Sequence, residues 1–527
     1  MVVLSVLVVL MSCGDSTSSQ KVEISDHEII YHVFQRSFYD SNGDQIGDLK
    51  GLTEKLSYLQ DLGVTSILLV PVFESIYYHN YFSSDFEKLD STLGTKQDYF
   101  DLIKAVHQRG MKIYMDMETQ YVSAGHKWFL DAYKNSSSPF SDYIAWDDSA
   151  HTIPSSIVYD LRSFTGYNGD SAVLTTVNMN SEKVKEYNFE LFKYWMDPNG
   201  DGNFSDGVDG FRLDHMMDDL DNKGRWTHLF NNFWKPMITQ LKQINPKIIF
   251  MAEQANWGSL GLEYLKNSGV DRVFAFRLAF EIRNFSKSGI EKMADSSLNY
   301  NPGNTSQIIF LENHDMPRFS SIVGNDPAKM RIGAALNLLI GGTPSIYYGQ
   351  ELGMKGISSF GKWGMTDANE IPVREAFEWY AADTGKGMAL WYKNSGPWWD
   401  STNVKSYDGI SLEEEKADLN SLWHFYKKMI SLHKSHETIA SGTYQTIQNN
   451  SDSVVSFKRI KNNKAAIVVI NLSMQEQHIL LDMEENPNYS EKQLWGNDAF
   501  MQQNNKWQIK MPPYAINVWE LEYKKTK

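Results

Sequence analysis

Several stretches of this 527-residue sequence close on charged, imidazole or phenol side chains that a buried strand has no use for. "GVDGFRLD" ends in Arg212 and Asp214, "KIIFMAE" in Glu253, and "QIIFLENHD" in His314 and Asp315; the loop "YYHNYFSSD" adds His79 and Tyr81. Three carboxylates brought together with one arginine and two histidines suit cleavage of a glycosidic bond. One carboxylate attacks the anomeric carbon while another, kept protonated by its neighbours, donates to the leaving oxygen. A close pair of this kind works through a covalent intermediate and retains configuration. Taken singly, each residue has a plainer use: a strand-end acid caps the next helix, and a lone Arg–Asp pair is a salt bridge. The ordered set on successive strands favours chemistry.

A second acidic pattern precedes Arg212. "DPNGDGNFSDG" places Asp197, Asn199 and Asp201 at the one-three-five spacing of a calcium loop, with Gly202 for the sharp turn. Asn203 offers a carbonyl and Asp206 a carboxylate, while Val208 stands where an EF-hand would need Glu. A solvated Asn/Gly/Asp turn would look similar. The expectation is a calcium ion held by residues 197–206.

Elements must bring these residues together. Short apolar strands alternate with amphipathic helices: "IIYHVF", then Leu49, Leu52, Leu56, Leu59 and Leu62 at helical spacing, then "SILLVPV", a helix, and "KIYMDME". Residues 119–175 break the alternation and are too long for an ordinary loop. It resumes with "GVDGFRLD", a helix expected over 226–244, "KIIFMAE", "DRVFAF", "QIIFLENHD" and "TPSIYYG". Eight βα units predict an α/β fold, a (β/α)8 TIM barrel whose strand ends converge on one mouth. The expected division is a leader and tether (1–20), barrel (21–118), an inserted domain B (119–175), barrel (176–438) and a C-terminal all-β sandwich (439–527).

Composition bounds the partners. Lys plus Arg number 50 against 65 Asp plus Glu, a net charge of -15, which argues against nucleic acid. The single cysteine, Cys13, follows an apolar run shorter than a bilayer span and sits in "LMSC", like a bacterial lipobox. The reading is an exported, monomeric lipoprotein anchored through lipid on Cys13, with a plain signal peptide and an incidental cysteine as the alternative, and without disulfides.

After the tether the chain resembles the α-amylase family, glycoside hydrolase family 13, through "YHVFQRSFYDSNGDQIGDLKGLTEKLSYLQDLGVTSILLVPVFES", "GVDGFRLD", "FMAE", "FLENHD" and "GGTPSIYYGQELGM". The resemblance implies Asp214 as nucleophile, Glu253 as general acid/base and Asp315 as the third carboxylate, holding sugar hydroxyls. It implies that Arg212 orients Asp214, that His314 and His79 bind hydroxyls, and that Tyr81 stacks on the sugar. Where the family has Asn-His after the third strand, this chain has Gln120 and Tyr121, so Tyr121 is expected at the primary-hydroxyl subsite. Thr176 and the Met217–Asp218 pair replace further family residues, and the family's usual calcium site between barrel and insert is expected to be absent. The implied substrates are maltooligosaccharides or related α-glucans; a transglycosylase and a non-catalytic α-glucan-binding lipoprotein are the alternatives. The aromatic run 391–399 is read as either a sugar platform or loop packing.

Overall fold

The computed structural model describes residues 27–483, 488–503 and 505–524; Cys13 and the apolar leader lie outside them. Among the described residues no helix is long and apolar enough to cross a membrane.

Eight parallel strands close a barrel in chain order: β1 (Ile30–Val33), β2 (Ser66–Leu69), β3 (Lys112–Met117), β4 (Gly210–Met216), β5 (Ile249–Gln254), β6 (Arg272–Phe274), β7 (Ser306–Ile309) and β8 (Thr343–Tyr347). Closure is explicit in the register, since Ile30 lies opposite both Ser66 and Ser345. Strand residues alternate in direction. Ile30, Leu68, Tyr114, Ile249, Met251, Phe274 and Ile308 fill the interior, while Tyr31, Ile67, Ile113, Phe211, Phe250 and Val273 pack beneath the helices. The leucines expected on one helix face are all buried in the helix Leu49–Leu62. Asp48 caps its start by accepting the Gly51 N–H, and Gly63, with φ at 101°, ends it.

The interior phase also carries the polar residues. Asp116 follows Tyr114 by two on β3, Arg212 precedes Asp214 by two on β4, and Glu253 follows Met251 by two on β5. Asp116 stands opposite Arg212, and Arg212 opposite Met251. Gly210 lets β4 and β5 approach, because a Cβ there would lie 2.2 Å from the Ile249 carbonyl oxygen. At the other end of the barrel a buried Arg272–Glu28 pair (2.6 Å) closes the interior, with the Tyr114 hydroxyl also donating to Glu28. Burial pushes the Glu28 carboxyl up, but the charges of Arg272 and Lys112 outweigh it and hold it at about 2.

Between β3 and the helix Glu182–Met196 the chain makes its excursion. Tyr121–Ser123, Ser171–Thr176 and Ser163–Thr165 form a three-stranded sheet, with the short helix Lys127–Ala132 beside it. The helix expected over 226–244 starts later. A wide-turn segment, Phe230–Trp234, leads into the α-helix Lys235–Ile244, and residues 217–229 are spent on a polar loop described below.

The C-terminal region holds a five-stranded and a three-stranded antiparallel sheet. Its strand Lys464–Asn471 is buried on both sides. Ala465, Ile467 and Val469 join a core with Ile479, Trp507 and Ile509 of the smaller sheet, while Ala466, Val468 and Ile470 join the core shared with the barrel.

Candidate active site

Arg212 organises the mouth. Its Nη1 donates to Asp116 Oδ2 (2.5 Å) and Asp214 Oδ1 (2.7 Å), and its Nη2 lies 2.9 Å from Glu253 Oε2. One guanidinium thus faces three carboxylates in a nearly dry setting and cannot neutralise them all. Burial raises the Asp116 carboxyl to about 6 against the opposing pull of Arg212. Burial likewise holds Asp214 well above the usual range, with Arg212 opposing and Glu253 and Asp116 adding to the rise. Burial and mutual repulsion thus favour the protonated form within the set, the direction that acid/base work on a glycosidic bond needs.

Tyr81 joins this set to the histidines. Its hydroxyl donates to Asp116 Oδ2 (2.9 Å) and lies 2.9 Å from His314 Nε2. His314 Nε2 is 3.0 Å from Asp315 Oδ2, and the Tyr81 and His314 rings stack 5.6 Å apart. His79 takes the Tyr81 backbone N–H on Nδ1 (3.1 Å), which leaves Nε2 to carry its proton, 3.8 Å from Asp367 Oδ2. Burial drives both imidazoles well below their ordinary range and lifts Asp367 to about 7. Both rings are neutral at pH 7, suited to hydrogen bonds with uncharged hydroxyls. Asp214 and Asp315 remain the more open carboxylates, with side chains 15% and 33% exposed against 8% for Glu253.

The structure thus gathers Arg212, Asp214, Glu253, Asp315, His314, His79 and Tyr81 at the C-terminal strand ends. Tyr121 is a correction. It is 2% exposed and its hydroxyl is spent on the Asp221 carboxylate, so it cannot present that group to a sugar. Gln120, beside it, donates its amide to the Asp214 carbonyl (2.5 Å) and the His215 carbonyl (3.3 Å). Those two carbonyl oxygens are thereby taken by the chain's own donor.

Arg374, Asp367 and Asp116 were not among the expected site residues. Arg374 donates to Asp315 Oδ1 (2.9 Å), to the His314 carbonyl (2.8 Å) and to the Tyr78 hydroxyl (2.9 Å), pinning the third carboxylate from outside. Arg374 and Asp367 come from the irregular stretch after β8, which has no period to read. For Asp116 the signal was its place in the strand "KIYMDM". Of the aromatic run, Trp391 and Tyr392 are loop packing: Trp391 lies 4.5 Å from the Tyr78 ring and donates to Ser37 Oγ.

The 197–206 loop does not form a ready cage. Asp197 accepts the Gly200 and Gly202 N–H groups, Asn199 accepts that of Asp201, Asp201 that of Asn203, and Asn203 that of Ser205. Among the described residues no three His, Cys, Asp or Glu side chains are gathered to hold a metal. The physical reason is local: short Asx side chains satisfy their own turn first. Asp206 differs, since its Oδ1 is buried without a hydrogen-bond partner. Burial, then the charges of Asp197 and Asp201, raise its carboxyl.

The α-amylase catalytic-domain profile matches residues 32–442, and an α-amylase C-terminal-domain profile matches residues 442–518. Alpha-amylase 3 of Dictyoglomus thermophilum is 29% identical over 462 residues, covering 85% of this chain and 85% of that protein. An oligo-1,6-glucosidase of Parageobacillus thermoglucosidasius is 27% identical over 512 residues, covering 84% of this chain and 90% of that protein. The crystal structure of the α-amylase from H. orenii superposes with a TM-score of 0.77 at 27% identity, covering 94% of this chain and all of the other. With a closed barrel, its polar mouth and both profiles in agreement, the chain belongs to the α-amylase family.

Proposed function

We propose that this glycosidase hydrolyses α-glucosidic bonds in maltooligosaccharides or related short α-glucans, with retention through a covalent glycosyl-enzyme. The observation that carries the reading is the shared guanidinium: Arg212 holds Asp214 and Glu253 on different nitrogens within one dry cluster. Asp214, in the carboxylate form that Arg212 favours, attacks the anomeric carbon from one side. Glu253 protonates the leaving oxygen and then takes a proton from the incoming water, so the acid becomes the base. Asp315, fixed by Arg374 and His314, accepts hydrogen bonds from sugar hydroxyls, and neutral His79 and His314 complete that grip. Asp367, from the stretch after β8, lies 3.8 Å from His79 at the edge of this set.

The test is product analysis on maltoheptaose, isomaltooligosaccharides, pullulan and trehalose, with proton NMR of the first product formed. The expected result is cleavage with the α-anomer appearing first. A β-anomer would overturn the retaining mechanism, sugar transfer in place of hydrolysis would indicate a transglycosylase, and no turnover would favour the binding-protein reading.

Two further readings belong to the same proposal. The leader and Cys13 support an exported, lipid-anchored protein. Calcium at 197–206 is supported by the unpartnered Asp206 oxygen; Asp197, Asn199 and Asp201 would have to share with the ion the oxygens that now accept the turn's N–H groups, beside Asp206 and the Asn203 carbonyl. A bound ion there stabilises the fold, so calcium should raise the melting temperature and EDTA lower it, and Asp201→Asn should abolish the difference. A melting temperature indifferent to calcium removes the site.

A further inference from the structure

The end of β4 and the loop after it are built with more care than a connection needs. His215, Asp221 and Asn222 all adopt left-handed backbone conformations, with φ of 42°, 58° and 54°. None is glycine, so tertiary contacts must hold them there. The pairing of β4 with β5 shifts register at the same place, between Ala252 and Gln254. The shift falls where Asp214 and His215 on β4 meet Glu253 on β5.

A buried polar cluster supplies the contacts. The Asp221 side chain accepts the Tyr121 hydroxyl on Oδ1, with His215 Nε2 3.6 Å from the same oxygen. Lys223 Nζ lies 3.7 Å from Asp221 Oδ2. The same ammonium donates to the Ser156 carbonyl in the insert and to Ser156 Oγ (3.1 Å). His215 Nε2 and Asp221 Oδ2 are buried and make no hydrogen bond, so each meets the cluster only through the longer contacts just given. From the barrel side, the Gln120 amide clamps the carbonyls of Asp214 and His215.

The cluster reaches the chemistry through main chain. The His215 N–H donates to Glu253 Oε2 (3.2 Å), the same oxygen that lies 2.9 Å from Arg212 Nη2. Both groups on Oε2 are N–H donors, so this oxygen is occupied as an acceptor and a carboxylic proton is left to Oε1. Oε1 meets only the Trp257 Nε1–H, at 3.2 Å. We infer that Tyr121, Asp221 and Lys223 are a brace that positions the His215 N–H on Glu253 and so fixes which carboxyl oxygen delivers the proton. The brace also runs from the insert to the acid, through Ser156, Lys223, Asp221 and His215. Tyr121, which does not present its hydroxyl to the sugar, acquires a role here as a positioning residue.

This inference rests on Glu253 being the acid, so the experiment separates the two. Asp221→Asn, Tyr121→Phe and Lys223→Met are each assayed on two substrates. One is the oligosaccharide cleaved in the product panel, whose departing alkoxide needs a proton. The other is α-glucosyl fluoride, whose fluoride leaves with little help. Glu253→Gln is the control. If Glu253 is the acid, the control loses oligosaccharide cleavage far more than fluoride release; equal losses there overturn the acid assignment itself and the brace with it.

Given that control, Asp221→Asn is expected to lower kcat on the oligosaccharide by about 30- to 100-fold, part of the range a general acid supplies. KM should change little, and kcat on the fluoride should stay within about threefold, because that step bypasses the acid. Tyr121→Phe and Lys223→Met should show the same selectivity at smaller size, which keeps the test open if Asp221→Asn folds poorly. Equal loss on both substrates in all three variants, or no loss on either, overturns the proposal, since a merely structural brace would not distinguish leaving groups.

Discussion

Asp214→Asn is expected to abolish turnover, by roughly 10^5- to 10^6-fold, the scale seen when a nucleophile acting as part of a unit is removed. The amide keeps the shape of the carboxylate and can still meet the Arg212 guanidinium through its carbonyl oxygen, so the fold should survive. What it loses is the charge that attacks carbon. Substrate binding should change much less than kcat, because Asp315, His314 and His79 are untouched. The assignment gains a second check from Asp214→Gly in the presence of azide. A small external anion entering the vacated space should restore part of the activity on an activated substrate and give the β-glycosyl azide, since it attacks from the nucleophile's side. Activity of Asp214→Asn within about tenfold of the parent would remove Asp214 from the mechanism, because no remaining group could replace a nucleophile so cheaply.

Arg212→Met should instead strike at the fold. Arg212 is 1% exposed and contacts Asp116, Asp214 and Glu253. Removing it leaves buried carboxylates without their counter-charge, a change that typically costs about 3–5 kcal/mol. The pH dependence has a definite sign. With Arg212 present, burial already holds Asp116 at about 6 and Asp214 well above its ordinary range. A carboxyl with a raised folded pKa binds more protons folded than unfolded, so its contribution to stability is present below the unfolded pKa and lost as pH rises through the folded one. Without the guanidinium these values rise further, and the deficit should widen from pH 5 to pH 8 when melting is followed calorimetrically. Arg212→Lys should recover some stability but little activity, because one ammonium cannot reach both sides of the cluster as the planar fork does. A variant as stable as the parent at pH 8 would show that the three carboxylates are neutralised some other way.

The parts of this protein that could be read from its sequence are those where a local period and a burial requirement coincide. Leu49 to Leu62 recur at helical spacing, and all five leucines lie in the core. The strand ends of β4 and β5 carry charges that an apolar strand would not keep without use, and Arg212, Asp214 and Glu253 do meet there. Alternation fixed their direction as well, since residues two apart share the barrel interior.

What could not be read depends on contacts between distant segments. Tyr121 follows directly on Gln120, and nothing near it in the chain says that its hydroxyl goes to Asp221, a hundred residues away. Arg374 and Asp367 come from an aperiodic stretch, yet one pins Asp315 and the other lies beside His79. The helix expected from 226 begins at Phe230, because the preceding residues are drawn into a left-handed loop whose side chains meet Tyr121 and Ser156 in the insert. The barrel, the order of its strands and the carboxylates at their ends therefore follow from local pattern and solvent avoidance. Which polar groups neutralise one another inside does not, because buried charge is settled by whichever partner the fold brings within reach.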